Sequence, residues 1–201
     1  MSTRAPVASL SVIASAALLL CLCTGPAAAA PALECDGVTF PQTIQARGET
    51  LTLNGLGLRK ATIFGIKVYV GALYLPHPTA DADAILDSRQ PAQIDLAFVF
   101  RATAGQLRSA WQEGFGKSAP GKLPGLQSRI ARLNGWMEDV HAGQKMSFLR
   151  IPGVGIQYSL DGAVKGTIPG DDFARAFLAI WLGASPPSPQ LRAGLLGGPC
   201  T

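Results

Sequence analysis

The chain has 201 residues, with 17 Lys and Arg against 13 Asp and Glu, a net charge of +4 and 48% hydrophobic residues. That modest charge comes without a block of basic residues, so composition does not call for a nucleic-acid partner and favours a solvated, mixed-charge surface. The length suits one domain of ordinary size with a real core.

The first 30 residues read as a secretory signal peptide rather than as part of the fold. Arg4 supplies a short positive region. Residues 7–23 are uncharged and apolar or small, and Ala27 to Ala30 follow a Gly25-Pro26 break with an Ala-x-Ala cleavage pattern. The apolar run of about 17 residues lies at the lower edge of a spanning length, which leaves a retained anchor as the alternative. A lipoprotein anchor is disfavoured because Leu20 and Leu22 precede Cys21 and Cys23. Cleavage after Ala30 leaves 171 residues, 31–201, as a single domain; Arg4 is the one charge lost, so the net charge becomes +3. The mature protein is then expected to be exported, periplasmic or secreted, with no stable membrane anchor. Cys35 and Cys200 remain near its two ends. In an oxidising compartment they can form one disulfide staple, two free thiols being the alternative.

In chain order, residues 38–44 and 49–53 read as short strands turned by Arg47-Gly48. The stretch from Gly55 to Leu75 follows, and the rest of the chain is organised around it. Its apolar runs 61–64 and 66–75, separated by Gly65, are rich in β-branched and aromatic residues and predict two sequential strands. Arg59 stands at the entrance of the first and Tyr69 inside the second. An arginine there lies either in a cleft floor or on a rim. Pro76-His77-Pro78 ends the stretch, and Thr79 caps a predicted helix over 80–88 with Asp81 and Asp83 in its first turn. Residues 93–100 predict a strand with Ile94, Leu96, Phe98 and Phe100 on one face.

Thr103 caps the next helix, in which Leu107, Trp111 and Phe115 recur at i, i+4 and i+8. A loop over 116–124 separates it from a second helix striped by Leu126, Ile130, Leu133 and Met137. Strands over 146–151 and 155–160 precede an Asp161-Gly162 hairpin turn and a strand over 163–168. Pro169-Gly170-Asp171 opens a helix with Phe173, Phe177, Ile180 and Trp181 inward. Gly183 ends it, and Ser188 caps a last helix over 189–196. Hairpins and adjacent strands interspersed with helices argue for a mostly antiparallel sheet with helices on one face, the α+β class.

The residue chemistry alone names no reaction. His77 and His141 sit in turn-like contexts, and no Cys-His nucleophile pair stands out. The glycines at Gly55 and Gly57 lack the third glycine of a dinucleotide fingerprint. Gly153-Val154-Gly155 reads as a turn, and Asp171 and Asp172 as helix N-terminal acids. The sequence offers no metal-ligand set and no cofactor motif. These residues describe an exported α+β domain with an unknown apolar ligand.

Three blocks add to that reading: Gly55-Leu56-Gly57-Leu58-Arg59-Lys60, then Lys67-Val68-Tyr69-Val70-Gly71-Ala72-Leu73-Tyr74-Leu75, then Phe173 through Ile180-Trp181-Leu182-Gly183 with Ser188-Pro189-Gln190-Leu191 and Leu195-Leu196-Gly197. In order and spacing the chain resembles the chalcone isomerase-like family, in its bacterial exported branch, from about residue 40 to residue 197. The resemblance implies an open-faced β-sandwich, a large antiparallel sheet with a helical layer over one face and a ligand cleft between them. In the isomerases of that family an arginine on a Gly-x-Gly-x-Arg turn draws in the phenolate that closes a flavanone ring, and Arg59 matches it. The other isomerase positions depart. Tyr69 falls where the enzymes carry a threonine, Leu107 at a tyrosine, Gly114 at an asparagine, and Ile180 at a substrate-selecting serine or threonine.

Other branches of the fold are non-catalytic and include fatty-acid binders, in which an arginine and a tyrosine grip a carboxylate. Arg59 and Tyr69, roofed by Leu107, Trp111, Gly114, Ile180 and Trp181, suit such a site, with one charged anchor and an apolar wall. The leading expectation is therefore a binder of a small apolar or amphipathic acid, needing no cofactor. Two alternatives stand beside it. One is an isomerase or intramolecular lyase acting on an unsaturated carbonyl compound, with Arg59 as the catalytic electrostatic group. The other is an interaction module whose cleft is vestigial. A haem-binding variant would need an axial ligand, and no histidine falls on the cleft helices.

Overall fold

The structure is a computed structural model, and it describes residues 1–2, 32–61 and 64–201. The proposed signal peptide lies almost wholly outside them. Seven strands form one antiparallel sheet in sequence order: β3 (Thr43–Ala46), β4 (Glu49–Ala61), β5 (Ile66–Leu75), β6 (Ala92–Phe98), β7 (Lys145–Ile151), β8 (Gly155–Leu160) and β9 (Ala163–Pro169). A separate hairpin of β1 (Ala32–Cys35) and β2 (Val38–Pro41) precedes it. Every neighbour in the sheet is antiparallel because each connection is a hairpin or a helical excursion that returns to the adjacent edge. Three of the tight turns, Asp36-Gly37, Arg47-Gly48 and Asp161-Gly162, hold both residues at positive φ, the conformation that two-residue hairpins select.

The helices α1 (Ala82–Asp87), α2 (Ala104–Ser118), α3 (Leu123–Gly135), α4 (Asp171–Leu182) and α5 (Pro189–Leu195) complete the fold. Thr103 caps α2 through a capping box with Gln106, and the stripe Leu107, Trp111, Phe115 is buried. The α3 stripe Leu126, Ile130, Leu133 is buried likewise. α4 is buried over nine of its twelve residues and carries the centre of an aromatic cluster. Phe177 stands 4.7 Å from Phe148 and 5.2 Å from Trp181, ring centre to ring centre, with Trp111 5.6 Å away.

Apolar residues alternate along the strands so that both sheet faces are covered. Leu73, Ile94, Leu96 and Phe148 face the helices. Leu56, Leu58, Val70, Ala72 and Tyr74 face the other way and pack with Phe40 and Cys35. Cys35 is disulfide-bonded to Cys200, which ties the end of the chain to the β1–β2 hairpin.

The structure corrects several details. The strand expected at 49–53 runs on as one thirteen-residue strand, β4, to Ala61, the one residue of the strand expected at 61–64 that it includes, while Phe64 and Gly65 form a turn. Thr62 and Ile63 lie outside the described residues. The glycine-bearing segment Gly55 to Arg59 is therefore strand, not turn, and Arg59 lies near the exit of β4, not at a strand entrance. The expected strand 38–44 splits at Gln42 between the hairpin and the sheet. Helix α1 is capped by Asp81, whose carboxylate accepts from the Asp83 and Ala84 amides, and Thr79 lies outside the helix. β6 ends at Phe98, so Phe100 leaves the buried face and is 54% exposed.

Candidate functional site

Arg59, Tyr69 and Phe98 are cross-strand neighbours on β4, β5 and β6, so their side chains form one row on the helix-covered face. The next row is Gly57, Gly71 and Leu96. α5 lies over those glycines: a Cβ on Gly57 would stand 2.8 Å from Leu191 Cδ1 and 3.0 Å from Leu191 Cα. Glycine at 55 and 57 thus lets a helix approach the strand. Beyond the Arg59 row, the sheet and helices diverge into a cavity of about 360 Å³.

The structure brings Arg59, Tyr69, Leu107, Trp111, Gly114, Ile180 and Trp181 together on that cavity. Leu107, Ala110, Trp111 and Gly114 reach it from one face of α2, and Ile180 and Trp181 from α4. Gly114 also sits at the contact between these helices, where a Cβ would come 2.9 Å from Ile180 Cγ2. A longer polar side chain at 114 would have to displace Ile180, so the wall there is apolar by packing. Sequence reasoning missed Val68, Leu96 and Phe98, although Leu96 and Phe98 share the strand face that it did identify. It also missed the polar rim residues Gln106, Glu113 and Lys117, which lie at helical spacing beside Ala110 and Gly114.

Two polar groups stand out against this wall. The Tyr69 hydroxyl accepts a hydrogen bond from Trp181 Nε1 at 3.0 Å. Its own proton has no protein acceptor among the described residues. Burial pushes the Tyr69 pKa up, an effect that the Trp181 bond and the Arg59 charge only partly offset, so the group remains a neutral phenol that can donate. Arg59 is half-buried and donates to the Lys60 carbonyl. None of the ion pairs among the described residues involves it. The acid nearest in role, Glu113, is taken by Lys117, whose hydrogen bond and charge lower its pKa. The arrangement presents a cation and a neutral donor side by side at the edge of an apolar chamber, a combination that recognises an anion with an apolar body.

His77 and His141 are both exposed and do not line the cavity. Among the described residues there is no cluster of three or more His, Cys, Asp or Glu placed to hold a metal ion, and no helix is long and apolar enough to cross a membrane.

Comparison with known proteins places these features in context. A search of curated proteins gives no match. Among solved structures, a fatty-acid binding protein from Arabidopsis thaliana superposes with a TM-score of 0.65 at 20% identity, over 80% of this chain and 92% of its own. At that identity the likeness speaks for the fold, a seven-stranded antiparallel sheet with helices packed on it. Residues 32–197 match the family described as chalcone isomerase-like, which spans the whole sheet and all five helices. The chain belongs to the chalcone isomerase-like family.

Proposed function

We propose that the protein is an exported binder of a small apolar or amphipathic acid, fatty-acid-like in character. The observation that carries this reading is the pairing of Arg59, which joins no ion pair among the described residues, with the donor hydroxyl of Tyr69 on an apolar cavity of about 360 Å³. A carboxylate set between them would accept charge-assisted hydrogen bonds from both while its carbon chain lies against Leu107, Trp111 and Ile180. The solved relative is itself a fatty-acid binding protein, which supports the same reading. Export, with residues 1–30 as the cleaved signal and 31–201 as the mature domain, is supported by the sequence of the leader and by the Cys35–Cys200 disulfide.

The test is direct binding of a dansylated undecanoic acid to the purified mature protein, followed by displacement with lauric acid and with methyl laurate. The free acid should compete and the ester should not. Arg59→Ala should weaken binding by about tenfold or more, the value of a charge-assisted hydrogen bond. Equal competition by the ester, or an Arg59→Ala protein that binds as well as wild type, would remove the anchor from the reading.

A further inference from the structure

Large apolar side chains exposed on a protein surface are ordinary when scattered. Here the two exposed phenylalanines among the described residues, Phe64 at 84% and Phe100 at 54%, lie at the same end of the sheet together with Ile66 at 40%. Phe64 belongs to the β4–β5 turn, Ile66 opens β5, and Phe100 follows β6 with its amide bonded to the Val68 carbonyl. Ile66 and Phe100 also line the cavity, so this apolar edge is continuous with the cleft mouth.

The charges around it are unbalanced. Lys67, Arg101 and Lys117 each have an acid partner, in Asp36, Asp139 and Glu113. Arg59 and Lys60 have none among the described residues. Five cations against three acids leave the mouth positive, with exposed aromatic rings at its edge. This is the chemistry of a peripheral membrane contact, in which rings enter the headgroup boundary and cations meet anionic lipid.

We infer that the mouth of the cleft docks on an anionic lipid bilayer, with Phe64, Ile66 and Phe100 entering the interface and Lys60 facing the headgroups. The inference rests on the acid-binding reading for its purpose, because a ligand with an apolar tail partitions into bilayers and is collected from them most directly where the cleft opens. No covalent step is involved.

Flotation of the mature protein with vesicles tests it, comparing phosphatidylcholine alone with phosphatidylcholine mixed with phosphatidylglycerol. Wild type should float with the mixed vesicles, be released by salt, and stay behind with neutral ones. Phe64→Ser combined with Lys60→Gln should lower the bound fraction at least about fivefold. Neither side chain lines the cavity, so affinity for the dansylated acid in vesicle-free buffer should not change. Absence of wild-type binding to mixed vesicles, equal binding to both kinds, or a variant that floats like wild type would each overturn the inference. If vesicles bind but the dansylated acid does not, the docking surface stands and the acid-binding reading falls, so the two failures are distinguishable.

Discussion

Replacing Gly57 with alanine tests why β4 carries glycine at alternate positions. Gly57 is not in the left-handed region, so its backbone suits alanine. With free space above it, the substitution would stabilise by about 0.4–1 kcal/mol through the unfolded chain. The space is not free. The new Cβ would overlap the Leu191 carbonyl oxygen and stand 3.0 Å from the Leu191 Cα, whereas carbon contacts are comfortable at about 3.5 Å. Leu191 is fully buried, and what stands in the way is its backbone, not the tip of a side chain that could swing aside. α5 must therefore retreat by on the order of 1 Å, at a cost of about 1–3 kcal/mol. After the unfolded-state gain is subtracted, a net loss of about 1–2 kcal/mol remains, which lowers the thermal midpoint by about 3–6 °C for a chain of this size. Gly116 in α2 is the control, since nothing lies within 4 Å of its would-be Cβ. Gly116→Ala should raise stability by about 0.5–1 kcal/mol. Thermal unfolding of the three proteins gives the signs directly. A Gly57→Ala protein at least as stable as wild type would refute the close seating of α5 on β4.

The remaining predictions concern the cleft and the staple. Tyr69→Phe removes the acceptor for Trp181 Nε1 in a tryptophan only 1% exposed, and should cost about 1 kcal/mol, the low end for an orphaned buried donor because the cavity admits water. The same variant should lose affinity for the dansylated acid; denaturant unfolding and a binding titration unchanged from wild type would show that the hydroxyl serves neither partner. Cys35→Ser opens a disulfide that closes a loop of 165 residues in sequence, and should destabilise by about 2–4 kcal/mol, below the roughly 5 kcal/mol of the chain-entropy relation. Two thiols that label without reductant in the native wild-type protein would contradict the bond.

Much of this architecture was legible because its signals are local. The caps at Thr103 and Ser188 and the turns at Arg47-Gly48 and Asp161-Gly162 each rest on a few neighbouring residues, and each forms where the sequence predicts it. The same holds for the stripe Leu107, Trp111, Phe115. Local signals do not suffice where a distant element decides local structure. Gly55 and Gly57 look like punctuation in the sequence, yet they continue a strand because α5, well over a hundred residues later, needs their missing side chains. Asp81 displaced Thr79 as a cap by a shift of two residues within a polar run that offers several suitable oxygens. In the cleft, the helical spacing from Leu107 to Gly114 was readable. The polar rim at Arg101 and Ser185 was not, because nothing in the periodicity of those segments marks them as neighbours of the same cavity.

The groups facing the cleft bear on what it can do with a bound molecule. Proton transfer needs a group whose pKa lies near the working pH. Tyr69 is pushed upward by burial and holds its proton. Glu113 is pulled downward by Lys117, which makes its carboxylate a poorer base. Both histidines lie outside the cavity. Arg101 and Lys117 also line the cavity but are paired with Asp139 and Glu113, which sets apart Arg59, a positive charge in no ion pair among the described residues, beside a hydroxyl that accepts the Trp181 N–H. A rigid donor pair stabilises an anion already present more readily than it creates one, because neither member has to exchange a proton for the contact to form. The apolar wall reinforces this. Gly114 and Ile180 are packed so closely that the α2–α4 contact leaves no room for a longer polar side chain at 114. On the proposed acid-binding reading, such a cleft would hold an acid whose charge is fixed before it enters.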